Sequence, residues 1–190
     1  MVEESSDREP VIQCERIALC HLSVGELVSL FEDPEGADIY SGHSYRNPHR
    51  ILIDGASPVQ WRAPQVQKDP STNTWFIRWI VLRDTNDIIG SLSFHGPPDE
   101  RGMLEIGLGV HEKFQRQGFG REALVGMWNW AARRDDVSVF RYTVDPGNTA
   151  SVALVRAMGF TCVGQQIDEI DGPEDVYEMS VEEYLHRHGQ

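Results

Sequence analysis

The stretch from Leu104 to Leu124 most constrains the fold, because an apolar run, Leu104 to Val110, gives way to a short polar loop and then to Gly118-Phe119-Gly120 ahead of a helical pattern. It reads as strand, turn, helix. Two glycines remove side chains where a backbone must approach a ligand closely, and the free N–H groups of a helix N-terminus point toward negative charge. The stretch therefore predicts an anion-binding turn able to hold a phosphate.

Gly118-x-Gly120-x-x-Ala123 by itself also matches a dinucleotide fingerprint. In that fold the first glycine follows its strand directly, whereas His111 to Gln117 intervene here, and the chain beyond Gly120 is too short for several further βα units. No Gly-Lys-Ser/Thr occurs, which excludes a Walker loop.

Around this centre the pattern is mixed. Met1 to Val11 is charged and aperiodic, so a frayed or disordered end is expected there, with residues 12–190 forming a single domain. Ile12, Cys14, Ile17 and Leu19 make a first strand of imperfect alternation. Ser23 and Glu26 form a capping box for a helix to about Glu32, with Leu27, Val28, Leu30 and Phe31 on its buried side. Gly36 to Thr74 is irregular, its prolines arguing for short helices or turns that either carry substrate-specific contacts or form an ordinary packed loop region. Trp75–Arg83 and Ile88–His95 read as a hairpin, Met103–Val110 as the next strand, and Gly118 to Arg134 as a helix with Leu124, Trp128 and Ala131 inward. A strand Val137–Val144 follows, then a helix from Thr149 capped by Asn148 and stopped at Gly159. Phe160–Ile167 and Val176–Val181 close the sheet, and Glu182 to Gln190 is a polar tail.

A length of 190 residues with 40% apolar and 25% charged residues suits one soluble domain, and a net charge of −13 repels polyanions, so nucleic acid is not the general ligand. The longest apolar run, Trp75 to Leu82, is broken by Arg78 and falls well short of the roughly 20 residues a membrane helix needs. Neither a membrane span nor a signal peptide is expected. Cys14, Cys20 and Cys162 are odd in number and form no C-x-x-C pair, which points to reduced thiols and a cytoplasmic protein. His186-x-His188 has no other ligands nearby in sequence, and no metal is expected.

Gln115-x-x-Gly118-x-Gly120 between strand and helix, Asn148-x-x-Ser151 at the next helix start, and Gly159-Phe160 before a strand occur in that order. With Glu105-Ile106-Gly107 in the preceding strand, they resemble the GNAT superfamily of acyl-CoA N-acyltransferases, nearest to the branch of ribosomal-protein alanine N-acetyltransferases. The likeness covers about Trp75 to Val181, and Tyr45 to Asn73 lies outside it. It implies an α/β (α+β) domain with a mixed, mostly antiparallel sheet, helices on both faces, and splayed fourth and fifth strands.

The resemblance further implies that the backbone of Gln115, Arg116, Gln117, Gly118, Phe119 and Gly120 holds the pyrophosphate of acetyl-CoA, the co-substrate, with Arg116 adding charge. Leu108, Gly109 and Val110 would pair with the thioester arm, one N–H polarising the acetyl carbonyl. Glu105 is the candidate base and Ser151 the donor to the departing sulfur, while Asn148 bonds a pantetheine amide or serves only as a cap. Tyr142 is a reserve acid and His95 a weaker base, each with a structural role favoured. The expected acceptor is a protein N-terminus or a small cationic amine, with a homodimer left open. A non-catalytic acyl-CoA-binding regulatory module is the alternative.

Overall fold

The computed structural model describes residues 8–35, 43–54, 58–168 and 172–189. They pack as two compact units, one formed by the described residues within 8–93 and 108–123 and the other by those within 94–107 and 124–189.

In the first unit the expected opening strand is two. Strands β1 (Ile12–Gln13) and β2 (Ile17–His21) pair antiparallel with Ile12 opposite Leu19. The imperfect alternation marks the reversal at Cys14-Glu15-Arg16, where the Cys14 N–H donates to Ile17 O at 2.9 Å. Helix α1 (Val24–Glu32) has the complete Ser23/Glu26 capping box, and Leu27 and Leu30 are buried. Phe31, expected on the buried side, sits about 100° round the helix from Leu30 and is exposed. The proline-rich stretch includes a ten-residue helix, α2 (Val59–Lys68), with Pro64 inside it. Pro64 is tolerated because the bond it forfeits is to Gln60 O, and both residues lie on the exposed side where water reaches the carbonyl. The parts of that stretch at 36–42 and 55–57 lie outside the described residues. β3 (Arg78–Leu82) pairs antiparallel with β2 and with β4 (Ile88–Phe94), forming the expected hairpin.

The second unit is built on β5 (Met103–Val110) at its start, β6 (Val139–Val144), β7 (Thr161–Asp168) and β8 (Gly172–Ser180). Helix α3 (Phe119–Ala131) enters it with Leu124, Trp128 and Ala131 fully buried, as their spacing requires. Trp128 stacks on Phe140 and Phe160 at 5.7 and 4.7 Å between centroids. Helix α4 (Thr149–Ala157) ends at Gly159, whose φ of 91° supplies the left-handed stop. β8 starts earlier than expected because the acidic segment pairs with β7, Ile167 opposite Pro173; residues 169–171 between them lie outside the description. The polar tail is a helix, α5 (Val181–His188), capped by Ser180. Its buried Tyr184 packs edge-on against Phe140 at 5.2 Å and donates to Asn129 Oδ1 at 3.0 Å, an amphipathic anchor masked by charged neighbours.

In the first unit His111, just past β5, donates its N–H to Ile89 O of β4 at 2.8 Å, and in the second His95, just past β4, donates its N–H to Glu105 O of β5 at 2.9 Å. The strand order β1-β2-β3-β4-β5-β6-β8-β7 is mixed and mostly antiparallel. β5 and β6 form the parallel pair, and their register covers only Met103–Glu105 against Val139–Arg141 before the pairing stops.

Candidate active site

The loop predicted to bind an anion joins β5 to α3 in the first unit. A short 3-10 turn, Glu112–Phe114, follows the strand, and the Gln115 side chain donates back to Val110 O at 2.9 Å. Arg116 and Gly118 then take φ values of 57° and 86°. Two left-handed residues one apart curl the backbone so that successive N–H groups converge, the arrangement of an anion nest. α3 opens with the Glu122 N–H donating to Gly118 O at 3.0 Å, so Phe119, Gly120 and Arg121 have no helical partner for theirs. Among the described residues, the N–H groups of Arg116, Gln117 and Gly118 also make no backbone bond. Gln115, Arg116, Gln117 and Gly118 are exposed, whereas Phe119 is buried and anchors the helix start. The nest thus carries free donors, positive dipole and open space, and a phosphate fits that donor set.

β5 behaves unevenly at its glycines. A Cβ on Gly90 of β4 would run into Gly109 O, while one on Gly109 would meet nothing within 4 Å. Glycine is therefore required at Gly90 by the close approach of the Gly109 carbonyl, and Gly109 keeps an open face. Leu108 and Val110 are half-buried beside it.

In the second unit Glu105 lies on β5 where pairing to β6 stops. Its carboxylate is mostly enclosed, 17% exposed against 46% for the neighbouring His95 side chain. His95 Nδ1 is 3.3 Å from Glu105 Oε1, and the Thr143 hydroxyl donates to the same oxygen at 2.7 Å. Burial pushes the carboxyl up, but the hydrogen bonds from His95 and Thr143, with the charges of His95 and Arg141, outweigh it and hold the group below its ordinary range. Arg141 is tied in turn to Glu178, its Nε at 2.9 Å, and Arg101 reaches the same carboxylate at 3.1 Å. Glu105 is thus an anion at neutral pH. His95 Nε2 stands 3.2 Å from where a Cβ on Gly107 would be, so glycine there admits the ring.

Tyr142, one strand position from Arg141, is buried and hydrogen-bonded to Ser151 in the first turn of α4. Burial raises its hydroxyl pKa against that bond, so it stays protonated well past neutrality. Asn148 Oδ1 accepts the Ser151 N–H at 3.1 Å, which makes it the helix cap. Elsewhere, His188 Nε2 bonds Met158 O at 2.9 Å, and burial lifts the Cys14 and Cys20 thiols to about 11, so they are protonated at neutral pH. Thr143 and Arg16 were absent from the sequence candidates. Thr143 follows Arg141 by the strand period of two, a signal visible only once β5 and β6 are known to pair.

Residues 18–161 match the model of the acetyltransferase (GNAT) domain, a span that takes in the nest, Glu105, Asn148 and Ser151. The chain belongs to the GNAT acetyltransferase family. Within this GNAT chain, 86 residues are 35% identical to the uncharacterized N-acetyltransferase YjdG of Bacillus subtilis, covering 45% of the chain and 51% of that protein. A second relative, N-acetyltransferase p20 of Bacillus licheniformis, is covered to 46%, so the GNAT chain spans about half the length of these two curated relatives. Its fold is shared with a spermidine N-acetyltransferase chimera from Vibrio cholerae (TM-score 0.63, 15% identity, 91% of this chain and 100% of that one). It is shared equally with a ribosomal L7/L12 α-N-protein acetyltransferase in complex with coenzyme A (TM-score 0.59, 17% identity, 90% and 98%).

Proposed function

We propose that this protein is an N-acetyltransferase that takes acetyl-CoA as co-substrate and moves its acetyl group directly to an amine, the α-amine of a protein N-terminus or a small cationic amine. One observation carries the reading: the nest of unpaired N–H groups at Arg116–Arg121, with Gly118 at φ 86°, lies inside the span that matches the GNAT domain. The backbone of Gln115, Arg116, Gln117, Gly118, Phe119 and Gly120 receives the pyrophosphate. Leu108, Gly109 and Val110 receive the pantetheine arm, in keeping with the early end of β5–β6 pairing and the open face of Gly109. Asn148 is assigned to a pantetheine amide besides its capping role.

Transfer forms a C–N bond and breaks a C–S bond; the amine gives up a proton and the departing thiolate takes one. Glu105, anionic and held by His95 and Thr143, equips the proton-accepting side. Ser151, bonded to the still protonated Tyr142, equips the donating side. The net charge of −13 favours a cationic acceptor over nucleic acid, and three cysteines without a C-x-x-C pair favour a cytoplasmic setting. The neighbours that acetylate a protein α-amine and spermidine support both acceptor classes.

Isothermal titration with CoA, followed by thiol-release assays of acetyl-CoA against N-terminal peptides and polyamines, tests the reading. Binding with thiol release and an acetylated product by mass spectrometry is expected. CoA binding without release across the panel would turn the reading to a regulatory acyl-CoA-binding module.

A further inference from the structure

Arg16, at the turn between β1 and β2, reaches the nest within the first unit. Its Nη1 donates to Gln117 O at 2.9 Å, its Nε pairs with Glu122 Oε2 at 2.8 Å, and its guanidinium lies 4.3 Å from the Phe119 ring centroid. Its Nη2 is 3.2 Å from where a Cβ on Gly118 would stand. Glu122 Oε1 meanwhile accepts the backbone N–H groups of Arg16 and Ile17 at 2.6 and 3.2 Å. One carboxylate thus grips both the turn and the guanidinium, and the guanidinium grips the loop.

We infer that Arg16 is a positioning residue for the coenzyme loop, a deeper reading that rests on the assignment of that loop to CoA. The reason is peptide geometry. In a planar trans peptide the C=O and N–H point to opposite sides, and no cis peptide occurs among the described residues. Holding the Gln117 carbonyl on Arg16 therefore turns the Gly118 N–H away from Arg16, into the nest. Arg116 sits at positive φ, a conformation that a non-glycine residue keeps only where its surroundings over-determine it. Arg16 supplies two of those constraints, the bond to Gln117 and the stack on Phe119. Its effect on the diphosphate is pre-organisation of donors, which lowers the cost of ordering the loop on binding.

A fork-shaped group is needed for this, since one side chain must bond Glu122 and Gln117 while stacking on a ring, and lysine cannot do all three. The test compares wild type, Arg16→Lys, Arg16→Gln and Glu122→Gln, the last keeping an amide oxygen for the backbone N–H groups. CoA affinity is read by calorimetry, and S-acetylpantetheine, which lacks the diphosphate, by NMR titration. With circular dichroism unchanged, CoA Kd is expected to rise about tenfold in both Arg16 variants and less in Glu122→Gln, with S-acetylpantetheine unaffected. Arg16→Lys binding CoA like wild type would reduce the residue to a bare charge and overturn the inference, as would equal losses for both ligands. Wild-type protein that binds no CoA would sink the coenzyme reading itself, and this inference with it.

Discussion

His95 Nδ1 stands 3.3 Å from Glu105 Oε1, the oxygen that also receives the Thr143 hydroxyl at 2.7 Å. The contact ties the residue that follows β4 to β5 and leaves His95 Nε2 over Gly107. Two groups able to carry a proton are therefore coupled, one enclosed and anionic, one half-exposed. Glu105→Gln removes the charge while keeping the shape. Its kcat is expected to fall about 10²–10⁴-fold with CoA affinity unchanged, the range for loss of a general base. Equal rates for variant and wild type would remove Glu105 from the chemistry.

The same pair predicts a pH signature in stability. The Glu105 carboxyl is held below its ordinary value of 4.5, so its contribution is fully present above that value and lost as pH falls through the folded-state value. Wild type should therefore lose its stability advantage over Glu105→Gln on acidification below about pH 4.5. Parallel Tm curves down to pH 3 would show that His95 and Thr143 do not stabilise the carboxylate.

Much of this was legible in the residues, and the rest was hidden for identifiable reasons. The nest, the Ser23 and Asn148 caps and the Gly159 stop depend on local backbone demands, which residue types express directly. The β1–β2 turn is hidden because only Glu15 and Arg16 separate Cys14 from Ile17, so the reversal shows in the pattern as a single lapse of alternation. α5 is short and mostly charged, so the recurrence of Val181, Tyr184 and Leu185 at i, i+3 and i+4 is outweighed by the polar composition that marks a tail. The Arg16–Glu122–Gln117 brace and the Glu105–Thr143 bond join residues far apart in the chain. No spacing rule reaches them, since they arise from strand register and packing.

Ser151 and Tyr142 are hydrogen-bonded, and burial keeps the tyrosine protonated. If this pair delivers the proton to the leaving sulfur, Ser151→Ala should lower kcat about tenfold while CoA Kd stays the same. The loss should shrink for acyl donors whose thiol is more acidic, because such a thiolate departs without help. A loss independent of the leaving group would assign Ser151 to helix structure alone.

Gly90 and Gly109 face each other across β4 and β5, and they separate stability from binding. A Cβ at Gly90 would collide with Gly109 O and lie 3.1 Å from Val110 Cα, both backbone atoms that cannot swing aside. Gly90→Ala should cost about 1–3 kcal/mol, the range for overpacking, and lower Tm by several degrees. A Cβ at Gly109 meets nothing within 4 Å, and Gly109 has no positive φ, so Gly109→Ala should leave Tm within about a degree of wild type. Yet Gly109 is where the pantetheine arm is assigned, and a methyl on that open face would crowd it. Calorimetry should show CoA binding weakened about tenfold in Gly109→Ala. Full affinity with unchanged Tm would move the pantetheine track away from Gly109.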